Sequence, residues 1–305
     1  MSRYRSIEFA SIAVGLALLV GIFFYEPSGA SSAIPRKLIF PVVGVKYFTD
    51  DFGASRSQGP HQGNDLVASW RAPVVAVESG TVKIWTSSWR AGCMLWLYGN
   101  SGTRYAYIHL NNDLTRRNDN AGGCVRGIAY APGLRDGQRV RAGELLGYNG
   151  NSGDADRTVY HLHFEIHKRP GLPVSPYKWL RRATQLIYPL PASSRLRDTK
   201  FRLRGTVRRK LSTSSERFIV MDATSLGNGS GLKYGLNRKA FVKVISGTSI
   251  RVKRGDTRVV IPFDQVKVGD AVIVWTKRVR PLLRIGLSKK NPLTAGRILA
   301  VRSGQ

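Results

Sequence analysis

Between residues 61 and 167 the chain has no long amphipathic helical period; it runs in short β-type stretches cut by Gly, Asn, Asp and Ser. Val74-Val75-Ala76-Val77, Gly80 to Trp85, Met94 to Tyr98, Tyr105 to Leu110, Leu145 to Tyr148 and His161 to Ile166 each have the length and side-chain content of a strand. Runs this short, bounded by turn residues, build strands rather than helices. The expected fold class is mainly β, with an antiparallel sheet. Residues 34 to 48 form a lead-in with an extended centre, Phe40-Pro41-Val42-Val43-Gly44. Residues 111 to 138 are polar and lack strand character. Loops of that length in a compact domain are functional or disordered, and this one leaves directly from the His109 run, which predicts a lip on a binding groove.

Pro189-Leu190-Pro191-Ala192-Ser193-Ser194 reads as a linker. The expected organisation is an N-terminal segment over 1–33, a first domain over 34–188, the linker over 189–195 and a second domain over 196–305. From residue 196 onward there are 25 Lys and Arg against 6 Asp and Glu, a net +19 of the chain's +29. The β-type runs continue there, as in Arg217 to Met221, Phe241 to Ile245 and Ala271 to Trp275, and several alternate apolar with basic residues. That pattern predicts a small basic β-barrel-like domain. A positive field of this size favours anionic partners.

Arg3 and Arg5 precede an uncharged run from Phe9 to Tyr25, with small residues at Ser28-Gly29-Ala30 and Ser31-Ser32-Ala33. This is the pattern of an export signal, and the run is long enough to remain as a membrane-anchor helix. Either outcome places the rest of the chain outside the cytoplasm, secreted or held at the membrane, and argues against nucleic acid as a partner. The two cysteines, Cys93 and Cys124, have no C-x-x-C spacing, so a thiolate metal site is not supported. Outside the cytoplasm they can form a disulfide, which would tether the loop after His109 to the strand before it; sequence does not show that they meet.

The chain has five histidines. His161-Leu162-His163 places two imidazoles on one face of a strand, with Phe164 and Ile166 on alternating positions. His61-Gln62-Gly63-Asn64-Asp65 offers an imidazole and a carboxylate, and Gly63 and Asn64 predict a turn rather than a helix. His109 lies in the apolar run between them. Two imidazoles and a carboxylate are a ligand set for Zn²⁺ that leaves one position open, and two further histidines remain for proton transfer. The residues alone do not say which of His161 and His163 binds metal. His167 reads as a surface residue.

Taken in order, His61-Gln62-Gly63-Asn64-Asp65, Gly80-Thr81-Val82, Tyr107-Ile108-His109-Leu110, Gly137-Gln138-Arg139-Val140 with Ala142 to Gly147, and His161-Leu162-His163-Phe164-Glu165 resemble the lysostaphin/LytM-type zinc metallopeptidases, peptidase family M23. The resemblance runs from about residue 40 to residue 180. It implies an antiparallel sheet cradling a narrow groove, and cleavage of peptide bonds in bacterial peptidoglycan. It implies one Zn²⁺ ion held by His61, Asp65 and His163, with His109 and His161 as the catalytic pair. All five positions are filled. The stretch after Leu110 is longer than the family's usual link to the Gly-Gln-x-Val segment. The basic second domain falls outside the resemblance; its charge suits an anionic wall polymer or a membrane surface. Two other readings fit the same residues: a non-catalytic wall-binding or hydrolase-activating module, and an exported peptidase for protein substrates.

Overall fold

Alternation along the strands decides where the cores form. In the computed structural model the described residues are 33–169, 172–191, 198–228, 233–280 and 284–302. Residues 1–32 of the expected signal or anchor segment, and 192–195 of the expected linker, lie outside them. No described helix is long and apolar enough to cross a membrane. The chain is mainly β, as its short runs predicted.

The first half supplies β1 (Ser55–Arg56), β2 (Gly59–Pro60), β3 (Asn64–Val67), β4 (Pro73–Val75), β5 (Gly80–Ser88), β6 (Gly92–Gly99), β7 (Arg104–Leu110), β8 (Arg139–Val140), β9 (Leu145–Tyr148), β10 (His161–Arg169), β11 (Leu172–Val174) and one turn of helix, α1 (Tyr177–Leu180). The main sheet has the order β11-β10-β7-β6-β5-β8, all antiparallel, with β3 paired to the first half of β10. β10 is therefore flanked by β7 on one side and by β3 and β11 on the other. Leu162, Phe164 and Ile166 of β10 are wholly buried. They pack with Leu66, Leu95, Leu97, Tyr105 and Tyr107 in one core. Each such side chain stabilises the fold by roughly 1.5–3 kcal/mol relative to exposure. That anchorage fixes the register of β10 and sends its odd-numbered side chains to the opposite face.

The second half supplies β12 (Phe201–Ser212), β13 (Arg217–Asn228), β14 (Lys233–Val244), β15 (Ser249–Arg254), β16 (Thr257–Val260), β17 (Ala271–Thr276) and β18 (Leu293–Arg302). Their order is β14-β13-β12-β17-β18-β15-β16, and β14 also pairs with β18 through Val242 and Lys243. Leu203, Ile219, Met221, Val242, Val274 and Ile298 form a second core. The lead-in lies between the two cores. Leu38, Phe40 and Val42 belong to the first, Ile39 and Val43 to the second, as an extended strap with period-two alternation would place them.

Cys93 of β6 is bonded to Cys124, which ties the 111–138 stretch to the sheet. That stretch does not form the lip expected from sequence. The cleft is walled by 56–62, Ser88 to Ala91 and 154–161, with no residue from 111–138. The disulfide instead holds the loop against β6, and Asn118 reaches across to Asn151 and Asp156, behind the segment that does form the wall.

Candidate active site

β10 presents His161, His163, Glu165 and His167 on one face, at the floor of a cleft of about 720 Å³ that the first three line. Asp65 lies directly across from His163 in the β3–β10 pairing. The turn predicted around His61 is present, but Asp65 is already in strand β3, and this cross-strand position brings the carboxylate to the imidazole. Gly63 is required by the close approach of the two segments. A Cβ there would come within 2.5 Å of the Phe164 carbonyl oxygen and 2.8 Å of His163 Nε2.

Three ligand-type atoms meet. His61 Nε2 and His163 Nδ1 are 2.8 Å apart, and each is 3.1 Å from Asp65 Oδ1. Among the described residues this is the one group of histidine, cysteine and carboxylate ligands close enough to share an ion. The neighbours of the rings explain why a cation fits. His61 Nδ1 is 2.9 Å from the Asp51 carbonyl oxygen and donates to it. His163 Nε2 is 3.0 Å from Glu165 Oε1 and donates to it. In their neutral forms both rings then turn lone pairs toward the carboxylate oxygen, with no proton between the three atoms. Edges near 3 Å suit an ion lying ~2 Å from each atom.

The electrostatics agree. Burial alone would raise the Asp65 pKa, but hydrogen bonds to His163 and His61 hold it far below the usual carboxylate range. Burial disfavours a charged His163, yet hydrogen bonds to Asp65 and Glu165 raise it to about 9. Glu165, also pushed upward by burial, is held at about 2 by His163 and His167. The two carboxylates thus favour positive charge at this point. Arg56 Nη2 donates to the other Asp65 oxygen at 3.0 Å. Asp51 also accepts from the wholly buried Asn64 at 2.7 Å.

His109 and His161 flank this group, with ring centroids 5.1 Å apart. By strict alternation His109 would point into the core with Tyr105 and Tyr107. The register between β6 and β7 slips between Cys93 and Leu95, and His109 has φ 61°. The bulge and left-handed backbone turn its ring into the cleft, a backbone strain of the kind found at functional sites. Its Nδ1 donates to the Ser152 carbonyl at 2.8 Å, and His161 Nδ1 donates to that of Val159 at 2.8 Å. Both rings therefore offer Nε2 to the cleft. His161 Nε2 lies 3.8 Å from Asp65 Oδ1, and His109 Nε2 lies 3.7 Å from Asp154 Oδ1. Burial, then the charges of His161 and His163, lowers the His109 pKa to about 3.

His167 is not a surface residue. It is buried, donates to Glu165 Oε2 at 2.7 Å and packs edge-on against Trp96. The period-two pattern that paired His161 with His163 extends through Glu165 to His167, and was the signal for both. Asp51, Arg56 and Ser152 had none, because backbone carbonyls and loop contacts leave no spacing in sequence.

The ordered motifs of the sequence thus come together in space, five side chains around one cleft. The chain resembles the lysostaphin/LytM-type M23 peptidases. No family model matches it. Among solved structures it is similar to a putative glycyl-glycine endopeptidase LytM from Ruminococcus gnavus (25% identity, 49% of this chain and 63% of that one, TM-score 0.38). It is also similar to the catalytic domain of the antimicrobial peptidase lysostaphin from Staphylococcus simulans (25%, 46% and 92%, 0.32). A zinc containing peptidase from Vibrio cholerae is a third (24%, 47% and 38%, 0.31). The chain spans less than two thirds of the Ruminococcus and Vibrio proteins.

Proposed function

We propose that the chain is a zinc-dependent endopeptidase acting on the cross-links or stem peptides of bacterial peptidoglycan, outside the cytoplasm. The observation that carries this reading is the tautomer geometry: two imidazole lone pairs and a carboxylate oxygen face one point 2.8–3.1 Å apart. His61, Asp65 and His163 are the ligands in this reading. Zn²⁺ held by these three side chains would supply Lewis acidity toward water and a substrate carbonyl.

The rest of the chemistry belongs to the protein. His109 and His161 are the catalytic pair. Their Nε2 atoms are unprotonated in the tautomers fixed by Ser152 and Val159, so one accepts the proton released as water adds to the scissile carbonyl. The pair then delivers a proton to the departing amine as the C–N bond breaks. Glu165 and Asp51 hold the ligand rings in orientation. Arg56 neutralises the second Asp65 oxygen.

We assign the circuit β12-β13-β14-β18-β17 to a small barrel whose outward face recruits an anionic wall polymer. Arg202, Trp275 and Arg297 lie side by side on neighbouring strands, and Arg204 and Arg251 flank Ile273 and Leu299 in the next row. Arg297 stacks on Trp275 at 3.8 Å, which leaves its N–H edges for an anion.

The test is incubation of the full chain, supplied with zinc, with peptidoglycan of known cross-bridge and separately with a panel of denatured proteins. Fragment masses are read by mass spectrometry, with His163→Ala beside the native chain. Release of peptidoglycan fragments by the native chain alone supports the assignment. Protein cleavage without wall cleavage assigns a different substrate, and zinc binding with no cleavage assigns a binding or activating module.

A further inference from the structure

One short segment meets His109 at both ends of its ring. The Ser152 backbone carbonyl accepts from Nδ1 at 2.8 Å, and Asp154 brings Oδ1 to 3.7 Å from Nε2. That segment is seated against the turn between β5 and β6. The Asp154 N–H donates to the Arg90 carbonyl at 2.9 Å, and the Cys93 N–H donates to Ser152 Oγ at 2.9 Å. The Ser152 hydroxyl itself donates to the Leu110 carbonyl at 2.6 Å. Glycine is required on both sides of this seam. Gly92 has φ 61°, and a Cβ there would come within 2.4 Å of Ser152 Oγ. Gly153 has φ 78°, and a Cβ there would come within 2.1 Å of the Arg90 carbonyl oxygen. The backbone over 152–154 is thereby fixed, and with it the point from which the Asp154 side chain enters the cleft.

No structural partner accounts for the Asp154 carboxylate. It lines the cleft and is partly exposed. Among the described residues no Lys or Arg pairs with it and no protein donor is bonded to it, in a chain of net charge +29. Its neighbour is His109, and in the tautomer that Ser152 selects that ring gives it nothing. Nδ1 carries the proton, so Nε2 is an acceptor. A carboxylate placed to orient His109 would meet a ring N–H; here the Ser152 carbonyl does that at the other nitrogen. Two acceptors therefore stand 3.7 Å apart at the edge of one cleft. A nitrogen that carries two or more hydrogens can bond to both at ordinary distances. The two catalytic histidines differ in this respect. The carboxylate oxygen near His161 Nε2 is Asp65 Oδ1 at 3.8 Å, which belongs to the proposed ligand group. Asp154 belongs to no such group.

We propose that Asp154 is a further catalytic residue, which with His109 receives the departing amine and holds it as an ammonium. The inference rests on the endopeptidase reading above and adds the place where the leaving group is taken up. As the scissile C–N bond breaks, its electron pair stays on the nitrogen, and the nitrogen takes the proton that His109 Nε2 has been carrying. The hydrogen already on that nitrogen bonds to Asp154. The oxygen of the attacking water remains on the carbonyl carbon, and the water's two protons end on the nitrogen, so the products are a carboxylate and an ammonium. Once His109 has given up its proton, Nε2 is an acceptor again. The ammonium then donates to His109 and Asp154 together, and the bond to the carboxylate joins opposite charges, the stronger class of hydrogen bond. Because the carboxylate acts on charge that grows as the amine departs, it favours the transition state over the bound substrate.

The experiment uses the full, zinc-loaded chain and two probes. The first is a peptide carrying the bond that the peptidoglycan fragments identify, paired with its depsipeptide, in which oxygen replaces the scissile N–H. In Asp154→Asn the ratio of peptide to ester hydrolysis should fall roughly 10–100-fold, the effect of one hydrogen bond to a charged group. The Asp154 side chain carries no bond of the fold, so the variant leaves the seam intact. Asp154→Glu should recover part of the loss. An equal fall for both substrates would make Asp154 a positioning residue for His109 and overturn the proposal, as would unchanged rates. The second probe needs no turnover. Triglycine amide and its N-acetyl form are titrated by calorimetry, and the native chain should prefer the free amine by about five- to tenfold, a preference that Asp154→Asn should lose. A native chain with that preference and no cleavage of peptidoglycan contradicts the endopeptidase reading and supports the ammonium subsite. No preference in the native chain, or one that survives Asp154→Asn, overturns the subsite.

Discussion

His163 donates through Nε2 to Glu165 at 3.0 Å, and in doing so turns Nδ1 toward His61 Nε2, 2.8 Å away. One carboxylate, two residues along the same strand, decides which nitrogen faces the ligand group. Glu165 in turn accepts from His167 at 2.7 Å, so its own orientation is fixed.

Glu165→Gln keeps the shape and removes the charge. Outer-sphere partners of this kind are worth 10–100-fold in metal affinity. The variant should therefore bind zinc about 10–100-fold more weakly in a chelator competition, with activity restored at high zinc. Unchanged affinity would show that Glu165 does not set the ring.

His109→Ala and His161→Ala leave all three proposed ligands in place. Each should retain stoichiometric zinc while hydrolysis falls by roughly 10²–10⁴. Loss of metal together with activity would move the residue from proton transfer to coordination.

The metal-free protein should show a distinctive pH dependence. His163 is raised to about 9 in the fold against an ordinary value of 6.5, so its contribution is full below 6.5 and is lost as pH rises through 9. Glu165 is depressed to about 2 from 4.5, so its contribution is full above 4.5 and is lost as pH falls through 2. The chelated chain should melt highest between these limits, near pH 5–6, and lose stability toward pH 9. With zinc bound the alkaline loss should vanish, because the ion replaces the proton. Melting curves with and without chelator read this directly.

Much of this site was legible in sequence, and the exceptions have physical causes. Period two in His161-Leu162-His163-Phe164-Glu165 gave a face of histidines opposite an apolar one, as found. His109 could not be placed that way, because a bulge and φ 61° reverse its direction, and alternation alone assigns it to the core. Asp65 was expected in a turn, yet its position is set by pairing with a strand about a hundred residues later. His167 continues the visible pattern, and only its distance from the motif suggested the surface. The 111–138 stretch was recognised as long and polar, but its packing depends on the Cys93–Cys124 bond and on contacts to 149–156, neither of which has a local signature.

The Cys93–Cys124 bond closes a separation of 31 residues. Replacing both by serine should cost about 3–4 kcal/mol on chain-entropy grounds, measured by denaturant unfolding. Addition of reductant should have little further effect on the variant.

The basic face should act on recruitment rather than chemistry. Arg202→Glu with Arg251→Glu should leave cleavage of a soluble peptide unchanged while wall adsorption weakens and its salt dependence flattens. Sedimentation with intact walls across a salt series reads this. Unchanged adsorption would remove that face from the account.

The central claim is one ion held by His61, Asp65 and His163, and metal stoichiometry tests it most directly. The folded full chain, supplied with zinc and then dialysed, should carry one equivalent, and Asp65→Ala and His163→Ala with intact folds should carry none. A folded native chain that retains no zinc, or variants that keep the full equivalent, would contradict it.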